Sequence, residues 1–242
     1  MMPVGEPRAS GDAEPGRDCP RCPRLVAFRE SWRAKEPGWH NAPVHSFGPA
    51  SARLAIVGLA PGLRGANRTG RPFTGDYAGE LLYATLTEYG FAKGQYQAHP
   101  DDGLTLTDCR IINAVRCVPP ANKPTPAEIT QCRPFLINAL AEMKNLRAIV
   151  VLGRIAHETM LAALGRRASA APFAHGASYD ISELPTRAGN AANSAAPKMA
   201  ESGWPLRLYD SYHCSRLNTN TGVLTPEMFH QVFAAIRADL ER

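Results

Sequence analysis

"RLAIVGLAPGLRGANRTGRPFTGD", residues 53–76, begins as an apolar run and passes directly into a glycine-rich stretch. Residues 58–76 hold five glycines, three arginines and a single carboxylate, Asp76. Two familiar readings fail. A phosphate-binding Walker loop needs GxxxxGK followed by Ser or Thr, and this stretch contains no Lys. The dinucleotide fingerprint GxGxxG is absent as well, because the glycines fall at 58, 62, 65, 70 and 75. Some other ligand needs this backbone.

Three more apolar runs follow the same grammar of strand, loop and helix. The first run leads to a helix around 78–90. "CRIINAV" (109–115) precedes a Pro-rich loop and a helix entered at "TPAE". There Thr125 suits the N-cap, Pro126 the first helical position and Glu128 the capping-box return; Pro134 is expected to kink this helix. "RAIVVLG" (147–153) leads into "RIAHETMLAALG", whose apolar spacing is helical. "LRLYDSYH" (206–213) precedes a loop and a last helix from "TPEMF". Strands alternating with helices predict an α/β fold whose parallel sheet is covered on both faces. In such sheets ligands bind beyond the carboxyl ends of the strands. The loops at that edge are 58–76, 113–125, about 168–180 and 213–222. They hold nearly every unusual residue of the chain.

The 242 residues suggest one large domain, and a hydrophobic content of 44% can fill its core. Residues 1–18 read as a flexible N-terminus and 19–242 as the domain. Within it, "PTRAGNAANSAAPKMAESG" (185–203) is poor in large apolar side chains and reads as a mobile insertion. No apolar run is long enough for a membrane span. The first residues lack the apolar core of a signal peptide, so a cytoplasmic monomer is expected. A formal charge of +5 and a pI near 9.0 are compatible with a polyanionic partner. The positive residues matter more by location. Arg64, Arg68 and Arg71 fall in the glycine stretch, while Arg116 and Lys123 flank the second motif.

In a reducing compartment the six cysteines are expected as thiols or ligands. "CPRC" supplies Cys19 and Cys22, and "RCVPPANKPTPAEITQC" supplies Cys117 and Cys132. Four thiolates suit zinc or an iron–sulfur cluster, and softness alone does not separate the two. Inert buried cysteines with a redox CxxC are the bland alternative. Cys109 opens a strand and reads as core; Cys214 is ambiguous.

Four motifs together carry a resemblance: "GLAPGLRGANRTGRPFTGD", "NAVRCVPPANKPTP", "FAHG" (173–176) and "YHCSRLNTNTG" (212–222). In this order they resemble the uracil-DNA glycosylase superfamily, specifically its iron–sulfur-containing family 5, or type b. The resemblance implies a three-layer α/β/α sandwich around a four-stranded parallel sheet, matching the strand reading. It also implies a [4Fe–4S] cluster on Cys19, Cys22, Cys117 and Cys132, and DNA containing uracil or deaminated bases as the partner. One departure is Cys214, where many relatives carry an apolar residue after the His.

A DNA glycosylase flips its target nucleotide out of the stack. It then needs an aromatic face, donors for the departing base and an oriented water. Phe73 offers the face. Asp76 can activate water and favour an oxocarbenium-like sugar, and it also suits the N-cap of the following helix. The family motif places Asn122 in the active site. His213 can donate to the base as negative charge develops. Asn113 suits reading of the pyrimidine edge, His175 the lining of the pocket. Gly58, Leu59, Pro61 and Gly62 would let the backbone approach the nucleotide, and Leu59 is apolar where several sister families carry a polar residue. Arg68, Lys123, Ser215, Arg216, Asn218 and Thr221 suit phosphate contacts.

Two rival readings differ in kind. A zinc nucleobase deaminase needs HxE followed by PCxxC, and no HxE occurs here. A non-catalytic iron–sulfur nucleic-acid-binding module would not require Phe73, Asp76 and His213 together.

Overall fold

Each of the four apolar runs becomes a parallel strand, and the loops that follow them share one edge of the sheet. The computed structural model describes residues 14–187 and 205–242. Its first half runs α1 (Pro23–Lys35), β1 (Leu54–Gly58), α2 (Ala66–Thr69), α3 (Tyr77–Glu88), β2 (Ala92–Lys93), β3 (Thr105–Leu106) and β4 (Cys109–Asn113). The second half runs α4 (Pro126–Ala141), β5 (Ala148–Leu152), α5 (Arg154–Ala163), β6 (Ser178–Asp180), β7 (Arg207–Ser211), α6 (Arg216–Asn220) and α7 (Pro226–Glu241).

The sheet order is β4-β1-β5-β7-β6. The first four strands are parallel, with Gly58 paired to Asn113 at the carboxyl end of β1 and β4. Alternation along β1 divides the core. Leu54 and Ile56 meet Leu82, Leu86, Phe229 and Phe233 of α3 and α7. Ala55 and Val57 meet Leu136, Ala139, Met160 and Leu161 of α4 and α5. Both faces are therefore covered, and the fold is an α/β/α sandwich. The capping box at Thr125 and Glu128 forms as the sequence predicts, and α4 runs on through Pro134 to Ala141.

The expected four-stranded sheet has a fifth member. β6, within the third loop, pairs antiparallel with β7 at the sheet's edge. Three half-exposed residues are too few to show a period, but the otherwise open edge of β7 gives their backbone groups partners. Helix α1 also lacks a readable stripe, since only Leu25 and Arg29 are buried along it. Most of the tail expected over 1–18, and of the insertion expected over 185–203, lies outside the described residues. Of residues 14–18, Glu14 pairs with Arg116 at 3.2 Å and Asp18 with Arg33 at 2.7 Å. Among the described residues no helix is long and apolar enough to cross a membrane.

Candidate active site

The glycine stretch leaves β1 where several of the candidate side chains lie close together. A Cβ at Gly58 would stand 2.7 Å from Asn113 Oδ1 and 2.8 Å from Phe73 Cζ. At Gly62 and Gly65 a Cβ would stand 3.0 Å and 2.3 Å from Asp76 Oδ2. These glycines make room for the chain's own Phe73, Asn113 and Asp76, which changes their expected role of admitting the nucleotide backbone. The Phe73 and His213 rings lie 5.9 Å apart, inclined by 29°. Loops after β1, β4 and β7 thus meet at one edge of the sheet.

Asp76 is the N-cap of α3, its side chain accepting from the Gly79 N–H at 3.3 Å. Burial pushes its carboxyl above the ordinary range, against the pull of the Gly79 and Ala78 N–H groups. A raised carboxylate is a better base near neutrality. Asn113 is 2% exposed, and its Oδ1 has no hydrogen-bond partner among the described residues. A buried acceptor left unpaired is costly unless something supplies a donor.

His213 follows β7, with its carbonyl accepting from Asn218 Nδ2 at 2.8 Å. Burial pushes its imidazole down to about 4, so the ring is neutral near pH 7 and can donate without carrying charge. Between about 4 and the ordinary 6.5, the unfolded chain binds a proton here that the folded chain does not. Stability from this group therefore falls as pH drops through that window and is level above it. Followed by NMR, His213 is expected to stay neutral down to about pH 5, a unit above its folded value. A midpoint near 6.5 would mean that the ring is solvated.

Several predicted residues take other tasks. His175 accepts from the Tyr212 N–H at 3.1 Å, so its other nitrogen donates to the Met228 carbonyl at 3.2 Å. With both nitrogens engaged it braces the third loop and has none left for a base. The same loop is tied by His157, whose ring lies 2.6 Å from Asp210 and 2.8 Å from the Ala171 carbonyl. Ser215 caps α6, Thr221 bonds the Leu217 carbonyl, and Asn218 supports His213. Of the predicted phosphate contacts, Arg68, Lys123 and Arg216 stand exposed. Arg71 and Arg116, the other positive residues near the motifs, are buried. Asn122 is exposed in a 3-10 turn over Pro120–Asn122, with φ of 56°. Leu59 is half-buried and Pro61 buried beside the pocket. Cys109 and Cys214 are core residues whose thiols meet the Phe91 and Ala78 carbonyls.

One exposed residue escaped the sequence reading. Leu217 on α6 is 72% exposed, between the two ends of the loop that carries His213. A Leu in "SRLNT" has no signal in sequence; its exposure on the helix that follows His213 marks it.

Cys19, Cys22, Cys117 and Cys132 line one cavity with Leu25, Val115 and Phe135. Among the described residues, no three His, Cys, Asp or Glu side chains are grouped as ligands of a single metal ion. The Arg116 N–H donates to Cys132 Sγ at 3.3 Å, and the buried Arg29 donates to Cys117 Sγ at 3.7 Å. Burial pushes the Cys117 thiol up to about 12 and Cys132 up to about 11. Four sulfurs around a shared cavity, with N–H donors and two buried guanidinium groups, fit a multi-iron anionic group.

The model of the Uracil DNA glycosylase superfamily matches residues 45–237. A type-5 uracil-DNA glycosylase of Thermus thermophilus is 44% identical, covering 88% of this chain and 90% of the relative. One from Pyrobaculum aerophilum is 37% identical over 92% of this chain and 89% of its own. One from Mycobacterium bovis is 39% identical over 89% and 75%. With a family match over most of its length and relatives 37–44% identical across it, the chain belongs to the uracil DNA glycosylase superfamily.

Proposed function

We propose that the chain hydrolyses the N-glycosidic bond of uracil, and of other deaminated or modified bases, in DNA, so initiating base-excision repair. The other bases are hypoxanthine, xanthine and 5-substituted uracils. Uracil-DNA glycosylase activity is what the family and its type-5 relatives support; the breadth and the residue roles are read from the pocket. The observation that carries them is the convergence of Phe73, Asp76, Asn113 and His213 at the end of β1.

The flipped base stacks on Phe73. Neutral His213 donates an N–H to a base carbonyl as the departing base gains negative charge, a donor worth most in a site that excludes water. Asp76 orients and activates the attacking water, and its charge stabilises the oxocarbenium-like sugar. Asn122, at the rim, reaches the same nucleotide. Arg68, Lys123 and Arg216 hold flanking phosphates, and Leu217 fills the space that the flipped nucleotide vacates. Release of free uracil from a uracil-containing oligonucleotide tests the reading. A protein that binds this DNA but leaves every base attached would be the non-catalytic binding module.

The four cysteines hold a [4Fe–4S] cluster with a structural role in the same proposal. Bound there, the cluster ties the segment before α1 to α4 and to the loop that carries Asn122. Protein purified anaerobically is expected to be brown with about four irons per chain. Cys117→Ala should lower iron content and melting temperature together. Stoichiometric zinc without iron in such a preparation would overturn the assignment.

A further inference from the structure

Residues 94–104, between β2 and β3, carry none of the motifs, yet this loop reaches under the base pocket. Phe73 has a φ of 51°, a left-handed conformation that is unfavourable for an aromatic residue. Such strain persists only where the surroundings hold it. The Tyr96 hydroxyl donates to the Phe73 carbonyl at 3.2 Å and accepts from the Gly75 N–H at 3.2 Å. One oxygen therefore clasps the backbone on both sides of Thr74.

Tyr96 is itself supported. Its ring stacks on Tyr83 with centroids 4.7 Å apart, and the Tyr83 hydroxyl donates to the Pro72 carbonyl at 2.6 Å. The Arg71 guanidinium lies over Phe47, Tyr83 and Tyr96 and pairs in two-pronged fashion with Asp102, at 2.8 Å and 2.7 Å. Asp102 also accepts the Gln97 and Leu104 N–H groups, fixing the shape of the Tyr96 loop. From the opposite side α3 presses close. A Cβ at Gly79 would lie 1.9 Å from the Phe73 oxygen and 2.4 Å from the Tyr96 hydroxyl.

We propose that Tyr96 is a positioning residue: its hydroxyl holds the strained Phe73 backbone and so sets where the aromatic face stands in the pocket. This rests on the reading of Phe73 as the surface on which the base stacks. Removing the hydroxyl deprives one carbonyl and one N–H of their partner at the most strained point of the stretch. Misplacing a reacting group by an ångström can cost on the order of 100-fold, so a loosened stacking face should cost about tenfold.

The test is a double-mutant cycle in the full chain, read by single-turnover uracil release. Tyr96→Phe is expected to slow release about tenfold, with affinity for an undamaged duplex nearly unchanged and melting temperature lowered by only a few degrees. In a Phe73→Ala background the same change should cost less than about twofold, because Tyr96 acts through a ring no longer there. Equal slowing in both backgrounds, or a Tyr96→Phe rate matching wild type, overturns the proposal while leaving the stacking role of Phe73 intact. A Phe73→Ala rate equal to wild type removes the stacking reading and the proposal with it. Gly79→Ala presses on the same carbonyl from the far side and is expected to slow release at least as much; a wild-type rate there also counts against the proposal.

Discussion

Single-turnover base release by Asp76→Asn is expected to run about 100- to 1000-fold below wild type, with DNA affinity within about threefold. The structure makes this substitution unusually clean. Asp76 caps α3 through an oxygen that accepts from Gly79, and Asn offers a similar oxygen to the same N–H. The cap survives while the charge is lost. Asp76→Ala removes both, so it should add a stability loss of about 1 kcal/mol that the Asn variant lacks. A pH profile supplies a second signature. Burial raises the Asp76 carboxyl, so wild-type activity should fall with acid at a pH above the ordinary carboxylate range. That limb should vanish in the Asn variant. A rate within about threefold of wild type would reduce Asp76 to a helix cap.

What the sequence revealed of the fold was its periodic part. The central strands are buried on both faces and stand out as apolar runs with helix signals behind them. β6 and α1 were invisible because neither has a period: one is three residues long and the other buries only two side chains. In the site, residue type was legible but pairing was not. Arg71 and Arg116 stood in the sequence only as positive residues near the motifs; that Arg71 is committed to Asp102, thirty-one positions away, and Arg116 to Glu14 could not be read from it. His175 looked like a pocket ligand because a local motif shows the imidazole and hides the two backbone groups that occupy it. Tyr96 went unnoticed for the same reason. Its importance lies in a backbone conformation at Phe73 that no spacing rule encodes.

In the proposed reaction, breadth of base choice turns on Leu59, which follows Gly58, and on Asn113, which pairs with Gly58 at the strand ends. Leu59 brings neither a proton nor a charge to the base. Asn113 brings a buried acceptor, Oδ1, with no hydrogen-bond partner among the described residues. Uracil, hypoxanthine and xanthine all carry a ring N–H beside a carbonyl. Cytosine and adenine carry a bare ring nitrogen at the corresponding place, which would face Oδ1 lone pair to lone pair. One acceptor can thus separate deaminated bases from those two parents without separating the deaminated bases from one another. Guanine and thymine also carry such an N–H, so their rejection falls to pocket shape and to the cost of flipping a well-paired base. Shape alone discriminates about 10- to 200-fold, whereas a buried group that must be paired can reject by roughly 10⁴ or more. Single-turnover release from matched duplexes carrying uracil, hypoxanthine, xanthine or 5-hydroxymethyluracil is therefore expected to span no more than about 200-fold. Asn113→Ala should slow all four by a similar factor, about tenfold for one lost hydrogen bond. If uracil alone reacts, with the others more than about 10⁴-fold slower, the shape-selective pocket is wrong. A loss confined to uracil in Asn113→Ala would then mark this amide as a strict reader of the pyrimidine edge.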